Sequence, residues 1–408
     1  MAKLVQLADS NFLDDLDQHL SHPAWYAKVT KLADQYLNSS SVPGKKDEQW
    51  RYTNLKWING TRWTNVTKVN SGKVDQLLQS VNIDQNTIDL LCVNGRFVNP
   101  KNHQDVCFED LKDVMTLPQD HQMNFFDGVR YRWLHDALQL NFNLKRHCHV
   151  VFLATDPHQW HNVILNTKVS QAIADNMLNI SVVYPQSTLN LEVDTQLDQT
   201  SELSYMVWTA PDSKLILRHR SQLGKEARLK VFLYNFEASW VHETCHVHVG
   251  EKASVDMSGL LLPCKSHFDD KEIDVIHDSP KGISRQQFYS VARDKGKAVF
   301  HGKAIVKATA PGTDARQLAH ALMLSDQCQI FSRPELEIDI DDVQCQHGSS
   351  VGQIDKNALF YLQARGINLE DAKNMIIKGF LEEVIRKLPT MWQETMRNRV
   401  AIHGFSAK

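Results

Sequence analysis

Residues from about 146 to 350 form a succession of short strand-like runs, and this pattern restricts the fold more than any other feature of the sequence. Charged or turn-forming residues separate the runs, and no helix of ordinary length is expected before the 313–325 region. Many short strands predict a sandwich, a barrel or a solenoid. The lack of a visible fixed repeat argues against the solenoid from sequence alone. The runs that carry the pattern are 150–153, 177–183, 189–193, 215–217, 229–233, 255–262 and 273–276.

Helical patterns precede this region. Apolar residues recur at helical spacing from Phe12 to Leu37, and turn-forming residues then interrupt the pattern. A short buried strand with a turn is predicted at 90–95, and helical character returns at 129–144. We therefore predict that residues 1–145 form a mainly helical domain with a little sheet, followed by a β-strand core over 146–350.

Helical patterns also follow the core. Asp355 is placed to cap a helix that ends at Gly366. Asn368 resembles the cap of a second amphipathic helix, which ends before Pro389. The sequence therefore predicts a C-terminal helical segment over residues 351–408.

The composition is that of an ordinary globular protein, with 42% hydrophobic and 23% charged residues among 408. A formal net charge of -3 gives no electrostatic reason to expect nucleic-acid binding, and no apolar run is long enough to span a membrane. The seven cysteines are scattered and include no Cys-x-x-Cys pair, which predicts a reduced, cytoplasmic protein with mostly structural thiols. Burial is expected for Cys264 and Cys328.

A thiol and an imidazole are brought together near the end of the core. Apolar residues alternate with polar ones up to Ile340, and the phase then slips by one residue, so that Cys345 and His347 share a face. A β-bulge is the usual cause of such a slip. Thiolate and imidazole ligands suit iron, zinc or copper rather than magnesium or calcium. Taken alone, however, such a pair is more often a half-buried cysteine beside a surface histidine.

Two other patterns suggest chemistry that the local sequence does not favour. His242 and His246 complete the H-E-x-x-H pattern of zinc proteases, which requires a helix. The surrounding residues 238–249 alternate as in a strand, on which the two histidines would stand about 13 Å apart. We expect them on the polar outer face of that strand. The carboxylates from Glu335 to Asp342 could suggest a polysaccharide lyase or a glycosidase, but such a row is more often a solvated face.

Several segments together resemble the SufB/SufD family of iron–sulfur cluster assembly proteins. The most specific segment is 333–367, and Trp50-Arg-Tyr-Thr53 and the blocks 282–302 and 313–325 add to it. The Cys-x-His-Gly string that begins at Cys345 resembles the SufD branch of the family. The resemblance implies a parallel β-helix core, so the chain is expected to be mainly β with flanking helices.

The resemblance also implies a function. Members of this kind are non-catalytic scaffold subunits that pair with SufB through the ends of the β-helices and hold the SufC ATPase with C-terminal helices, here 356–388. Carried over by position, Cys345 and His347 would lie at the SufB interface and share ligation of iron or a nascent cluster with a cysteine of SufB. The pair cannot complete a cluster's ligand set, so no cofactor is expected to stay bound to the chain alone. The isolated chain could also pair with itself through the same unpaired edge.

Two functions of other classes stay open at this point. One is a carbohydrate-active enzyme built on a β-helix, which activity on polyuronides would favour. The other is a free-standing metal-binding protein, which stoichiometric metal in the isolated chain would favour.

Overall fold

The computed structural model describes Leu16, Asp47 and residues 26–40, 43–44, 50–64, 69–98, 106–110, 124–170, 172–236 and 238–401. Within this part the chain is mainly β, with a parallel β-solenoid of about eight turns flanked by helices. The fold class predicted from the resemblance is confirmed. Of the predicted N-terminal helical pattern, the positions from Phe12 to Trp25 other than Leu16 lie outside the described residues.

Two sheets build the solenoid, and the chain alternates between them. The first sheet contains β1 (Leu90–Val93), β2 (Arg96–Val98), β5 (His147–Leu153), β7 (Asn176–Val183), β9 (Glu202–Thr209), β11 (Arg228–Phe236), β13 (Ser254–Leu262), β15 (Ile283–Ala292), β17 (Thr313–Met323) and β19 (Val343–Gly352). The second contains β3 (Val106–Asp110), β4 (Asp136–Phe142), β6 (Trp160–Val169), β8 (Thr188–Leu197), β10 (Lys214–Leu223), β12 (Trp240–Val249), β14 (Phe268–His277), β16 (Lys297–Val306) and β18 (Gln329–Ile338). The β1–β2 and β3–β4 pairs are antiparallel, and the other neighbours are parallel.

Helices lie on both sides of the solenoid along the chain. Those of the described residues are α1 (Ala27–Ser39), α2 (Lys56–Asn59), α3 (Ser71–Ser80), α4 (Phe125–Arg132), α5 (Lys356–Gln363), α6 (Leu369–Ile385) and α7 (Thr390–Val400). The predicted caps are confirmed, since Asp355 accepts a hydrogen bond from the Asn357 amide and Asn368 accepts one from the Asp371 amide. No described helix is long and apolar enough to cross a membrane.

One helical prediction is wrong. The pattern at 129–144 is a helix only as far as Arg132, and residues 136–142 form β4, which pairs between β3 and β6. The 313–325 region is β17, in agreement with the β-strand core expected over 146–350, and its inward residues include the small Ala315, Ala319 and Ala321. Alanine favours helices locally, but pairing with strands on either side overrides this preference. The expected division at 145/146 and 350/351 stays a prediction.

The coils vary in length, which explains why no fixed repeat is visible in the sequence. The register between neighbouring coils shifts by 26 residues from Thr188 to Lys214. It shifts by 32 residues from Lys297 to Gln329. The extra residues lie in the turns, so the strands still align side chain over side chain while the sequence period drifts.

The buried inward rows of the solenoid are apolar in some coils and polar in others. Leu189, Leu215 and Val241 stack in one buried inward row, as the alternating pattern of a half-buried strand requires. In the next row, Glu243 lies beside Lys271, and the two form an ion pair whose side chains are almost completely buried. A buried ion pair needs both partners, because either charge alone would be strongly unfavourable there.

The N-terminal segment and α6 cover different outer faces. Trp50 is buried and packs against the His242 ring at 4.1 Å between centroids. Arg51 is exposed, and its guanidinium carbon lies 5.8 Å from the centroid of the Tyr52 ring. On the opposite face, α6 buries Ile377 and other apolar residues against β13 and β15.

Candidate functional site

The last coil of the solenoid leaves one end open. β18 and β19 are the final strands of their sheets, and each has a hydrogen-bonded neighbour on one side only. Edge strands present unpaired N–H and C=O groups to whatever approaches them. The C-terminal end of the described solenoid therefore has two parallel edges side by side, which we call the open edge.

Cys345 and His347 lie on the inward face of this open edge. In β17, Ala315 and Gln317 point into the core and are buried. Cys345 pairs with Ala315 and His347 with Gln317, so the two side chains continue these inward rows by one step. No further coil of the described chain covers them, and Cys345 is half-buried while His347 is exposed.

A cross-sheet hydrogen bond holds the open edge together. The Ser349 hydroxyl of β19 donates to the Ser332 hydroxyl of β18 at 2.9 Å. Ser332 also lies in an inward row, because it pairs with the buried Phe300. The thiol and the imidazole are therefore presented from a paired strand rather than from a loop, which limits their movement.

The predicted bulge is not present. The phase slip after Ile340 marks the turn between β18 and β19, which belong to different sheets. A turn between two sheets and a bulge within one strand both change which alternate residues point inward. The sequence pattern alone does not distinguish a turn from a bulge. The predicted shared face of Cys345 and His347 is nevertheless found.

The environment of Cys345 keeps its thiol protonated. Burial raises the pKa of Cys345, and the nearby carboxylate of Asp314 raises it further, while the backbone hydrogen bond to Ala315 acts in the opposite direction. A thiol must lose its proton to bind a metal, so metal binding here releases a proton. Soft thiolate and borderline imidazole together suit iron or zinc.

The donors at the open edge are too few for a complete metal site. The described residues contain no group of three or more histidine, cysteine, aspartate or glutamate side chains that could hold a metal ion. Cys345 and His347 would therefore supply part of a ligand set, with the remainder from outside the described residues. Their role as ligands stays a prediction.

The acidic row of β18 lies on the outer face, as predicted for a solvated face. Glu337 accepts from Lys303 at 2.6 Å, and the same lysine lies 3.5 Å from Glu335. Each carboxylate is about two-fifths exposed and engaged by a lysine of the neighbouring strand. This arrangement does not resemble two catalytic carboxylates that flank one bond.

The H-E-x-x-H pattern lies on β12, so its predicted strand is confirmed. His246 faces outward and pairs with Asp274 at 3.2 Å. His242 also faces outward, but Trp50 covers it and its Nδ1 lies 3.1 Å from Asp270. Both histidines therefore lie on the predicted outer face, but at His242 this face is covered. The intervening Glu243 points to the core, which separates it from both histidines.

The C-terminal helices form a second surface. α6 packs on the solenoid, but α5 buries none of its residues. Phe360 is 73% exposed and Tyr361 is 56% exposed. Both lie in the 356–388 segment that the resemblance predicts as the contact with SufC, and this role stays a prediction.

The cysteines elsewhere in the chain agree with the sequence analysis. Cys264 and Cys328 are buried, as expected, and all seven cysteines are free thiols. Burial excludes both residues from direct contact with a partner in this conformation. Cys345 is thus the cysteine that the open edge presents.

Comparisons with known proteins agree with this geometry. Residues 163–380, just over half of the chain, match the family model described as SUF system FeS cluster assembly, SufBD core domain. Iron-sulfur cluster assembly protein SufD of Escherichia coli is 24% identical over 380 residues, which cover 87% of each chain. A SufBD family protein of Synechocystis is 23% identical over 391 residues, covering 86% of this chain and 85% of the relative.

A relative from a third bacterium matches a shorter stretch more closely. Iron-sulfur cluster assembly protein SufD of Bacillus subtilis is 38% identical over 101 residues, which cover 25% of this chain and 23% of the relative. The family model spans the solenoid from β6 to α6 and includes the open edge with Cys345 and His347. With a parallel solenoid, this matched core and relatives of the same kind along most of its length, the chain belongs to the SufBD family of SUF iron–sulfur cluster assembly proteins and is SufD-like.

Proposed function

We propose that the chain is a non-catalytic scaffold subunit that pairs with SufB through the open edge and supports cluster assembly at that interface. The observation that carries the proposal is the position of Cys345 and His347 in the inward rows of an uncovered coil. A partner solenoid that continued the stack would cover both side chains and bring its own ligands to them. Its site of action would be the cytoplasm, where free thiols persist.

The edge strands support pairing with a similar end of another solenoid. β18 and β19 offer two rows of unpaired backbone groups, and exposed apolar side chains such as Ile338 and Val351 lie in their inward rows. Backbone pairing would provide the register, and burial of these side chains would provide the hydrophobic contribution. Sheet-edge pairing of this kind favours a partner with the same coil geometry.

The ligand chemistry supports a shared iron or cluster intermediate. Iron or a nascent cluster is the cargo here, and no cofactor would stay bound to the chain alone. Cys345 and His347 supply a soft and a borderline donor, which is fewer than a cluster requires. Donors from SufB would complete the set, so that binding of the cargo depends on assembly of the pair.

The exposed side chains of α5 support docking of the SufC ATPase. Phe360 and Tyr361 lie on a helix that directly follows the open edge. Aromatic residues dominate the energetics of many interfaces, and two adjacent exposed aromatics are unusual without a partner. ATP-driven movement of SufC would then be transmitted to the edge through the short connection between β19 and α5.

Co-expression with SufB and SufC from the same source tests the proposal. The tagged chain should recover both partners, and Cys345→Ala/His347→Ala should leave the complex intact while lowering the iron and sulfide content after assembly. Gln346→Ala is the matched control, because Gln346 lies between the two residues and points to the opposite face. Its complex should assemble clusters as the wild type does.

Two outcomes would contradict the proposal in different ways. Recovery of the chain without SufB or SufC would reject the scaffold function itself. A complex that matures clusters normally despite the double substitution would leave a structural subunit and reject the ligand role of Cys345 and His347.

A further inference from the structure

A half-buried arginine lies between the last helix and the solenoid, and no carboxylate of the described residues pairs with it. Arg399 is in the final turn of α7, and its guanidinium carbon lies 3.6 Å from the centroid of the Trp208 ring. Its Nη2 atom donates to the Val81 carbonyl at 3.2 Å. Its Nε atom is buried and has no hydrogen-bond partner in the described part of the chain.

The environment of this half-buried charge is unusual. Burial lowers the pKa of Arg399 to about 10, so the side chain remains cationic at neutral pH. Buried charges are normally paired, because an isolated charge loses its hydration without compensation. Stacking on Trp208 offsets part of this loss. The neighbouring Arg397 follows the usual rule and pairs with Glu382 at 2.6 Å.

Arg399 lines two adjoining cavities, which we call the Arg399 cavities. Their volumes are about 440 Å³ and about 480 Å³, and Asn82 and Thr395 line both of them. The smaller cavity also has an apolar wall that includes Met177, Met206 and Trp392. Volumes of this size and a mixed apolar and polar lining are typical of small-molecule sites.

The carboxylates near the smaller cavity are already engaged. Asp89 accepts from the Arg146 guanidinium at 2.7 Å and from the His149 amide at 2.9 Å. Asp84 accepts from the Asn86 amide at 2.9 Å, where it caps a short 3-10 helix. Because both carboxylates are engaged in these contacts, neither serves as the counter-ion of Arg399.

The remaining polar groups leave room for an acceptor-bearing ligand. Burial lowers the pKa of His149 to about 4, with Asp89 opposing the shift and Arg399 adding to it, so the imidazole is neutral. Its Nε2 lies 2.8 Å from the Ser181 hydroxyl. The Asn179 Oδ1 atom, an acceptor, is buried without a hydrogen-bond partner among the described residues, so a ligand here would meet it with a donor such as a P–O–H group. Arg399 is therefore the cation in this lining that lacks a carboxylate.

We propose that the Arg399 cavities bind a small molecule that carries a carboxylate or phosphate group. The anionic group would accept from the Arg399 guanidinium, and an apolar part would pack against Met177, Met206 and Trp392. Charge-assisted hydrogen bonds of this kind are stronger than neutral ones. The site is separate from the open edge and does not depend on the scaffold function.

Calorimetric titration of the full chain with phenyl phosphate tests the proposal, with phenol and inorganic phosphate as reference ligands. Phenyl phosphate should bind saturably, inorganic phosphate more weakly because it lacks the apolar part, and phenol without measurable heat. Arg399→Gln should weaken phenyl phosphate binding at least about tenfold, since it removes a charged donor. Arg397→Gln, on the same helix, should bind as the wild type does.

Thermal unfolding separates a ligand site from a structural role. Removal of an unpaired buried charge should leave the Tm of Arg399→Gln unchanged or raised without ligand, while the rise in Tm with phenyl phosphate should disappear. Asn179→Asp provides a second variant with Arg399 intact. The added carboxylate would face the same cavity and should also weaken binding of the anion.

Three results would overturn the proposal. One is the absence of saturable binding of phenyl phosphate by the wild type at millimolar concentration. Another is equal binding by the wild type and Arg399→Gln, or equal losses in the Arg399 and Arg397 variants. If Arg399→Gln fails to fold, undiminished binding of phenyl phosphate by Asn179→Asp would also overturn the proposal.

Discussion

Cys345 and His347 differ from the residues above them in the same rows mainly in what covers them. Ala315 and Gln317 hold the equivalent positions one coil earlier and are buried. A cysteine and a histidine in those covered positions would be core residues without access to a metal. The chemistry of the pair therefore follows from its place in the last coil of the described solenoid.

The raised pKa of the Cys345 thiol leads to a prediction about its reactivity. Alkylation requires the thiolate, so the rate for Cys345 should be low near neutral pH and should keep rising above pH 9.0, the ordinary pKa of the group. Mass spectrometry of the Cys345 peptide after timed iodoacetamide treatment would measure this rate. The same peptide from urea-denatured chain is the reference, and its profile should lie at lower pH. Coincident profiles would show that the fold does not raise this pKa.

At the scale of elements, α5 and α6 differ in what their apolar faces contact. α6 buries Ile377 and Leu381 against the solenoid, whereas α5 leaves Phe360 and Tyr361 exposed. The two helices are joined by a short turn with Gly366 at φ +86°, which directs α5 away from the surface that α6 covers. We expect a partner protein to cover the exposed apolar face of α5.

Substitution of the exposed aromatics on α5 should affect one partner and leave the other bound. Phe360→Ser/Tyr361→Ser should weaken SufC binding about tenfold or more, because buried aromatic side chains contribute strongly at interfaces. Recovery of SufB with the tagged chain should not change. Pull-down of the co-expressed complex measures both partners at once. Leu32→Ser, on α1, is a control with a 41% exposed apolar residue. Unchanged SufC recovery in the double variant would place the docking surface elsewhere.

The helices and strands also show which parts of the fold could be predicted from the sequence. Alternation identified β12 as a strand despite its H-E-x-x-H pattern, and cap residues located α5 and α6, because both signals are local. The β4 region was predicted as part of a helix, since its strand character comes from pairing with β3 and β6. The exposure of Cys345 likewise depends on which coils stack on β19, and this is not visible in the local sequence. Only the resemblance to a known family supplied that information in advance.

At the scale of the whole molecule, the solenoid has unlike ends. At its start, the outermost strands are short and antiparallel to their neighbours, where the three-residue β2 pairs with β1 and the five-residue β3 pairs with β4. At its C-terminal end, β18 and β19 lack outer neighbours among the described strands. The ten-residue edge strands β18 and β19 offer a longer surface for pairing than the strands at the start, so association through the solenoid is expected at its C-terminal end.

This polarity predicts self-association of the isolated chain through the open edge. Sedimentation should show a dimer that Ile338→Lys/Val351→Lys converts to monomer, because the substitutions place like charges in the inward rows of both copies. Ile283→Lys is the matched control, since Ile283 is 41% exposed, as Ile338 is, but lies on β15 away from the edge. A wild-type monomer, or a dimer that survives the double substitution, would show that the edge does not self-pair.

The stacking of coils also determines when Cys345 and His347 come together during synthesis of the chain. Each coil contacts mainly its immediate neighbours, so a growing solenoid offers every new coil a template made by the one before it. Chains fold from the N-terminal side as they leave the ribosome. Cys345 and His347 lie in the last coil, so a nascent or misfolded chain has no paired surface on which to present them together. Under the proposed ligand role of the pair, iron would bind only after the solenoid is complete.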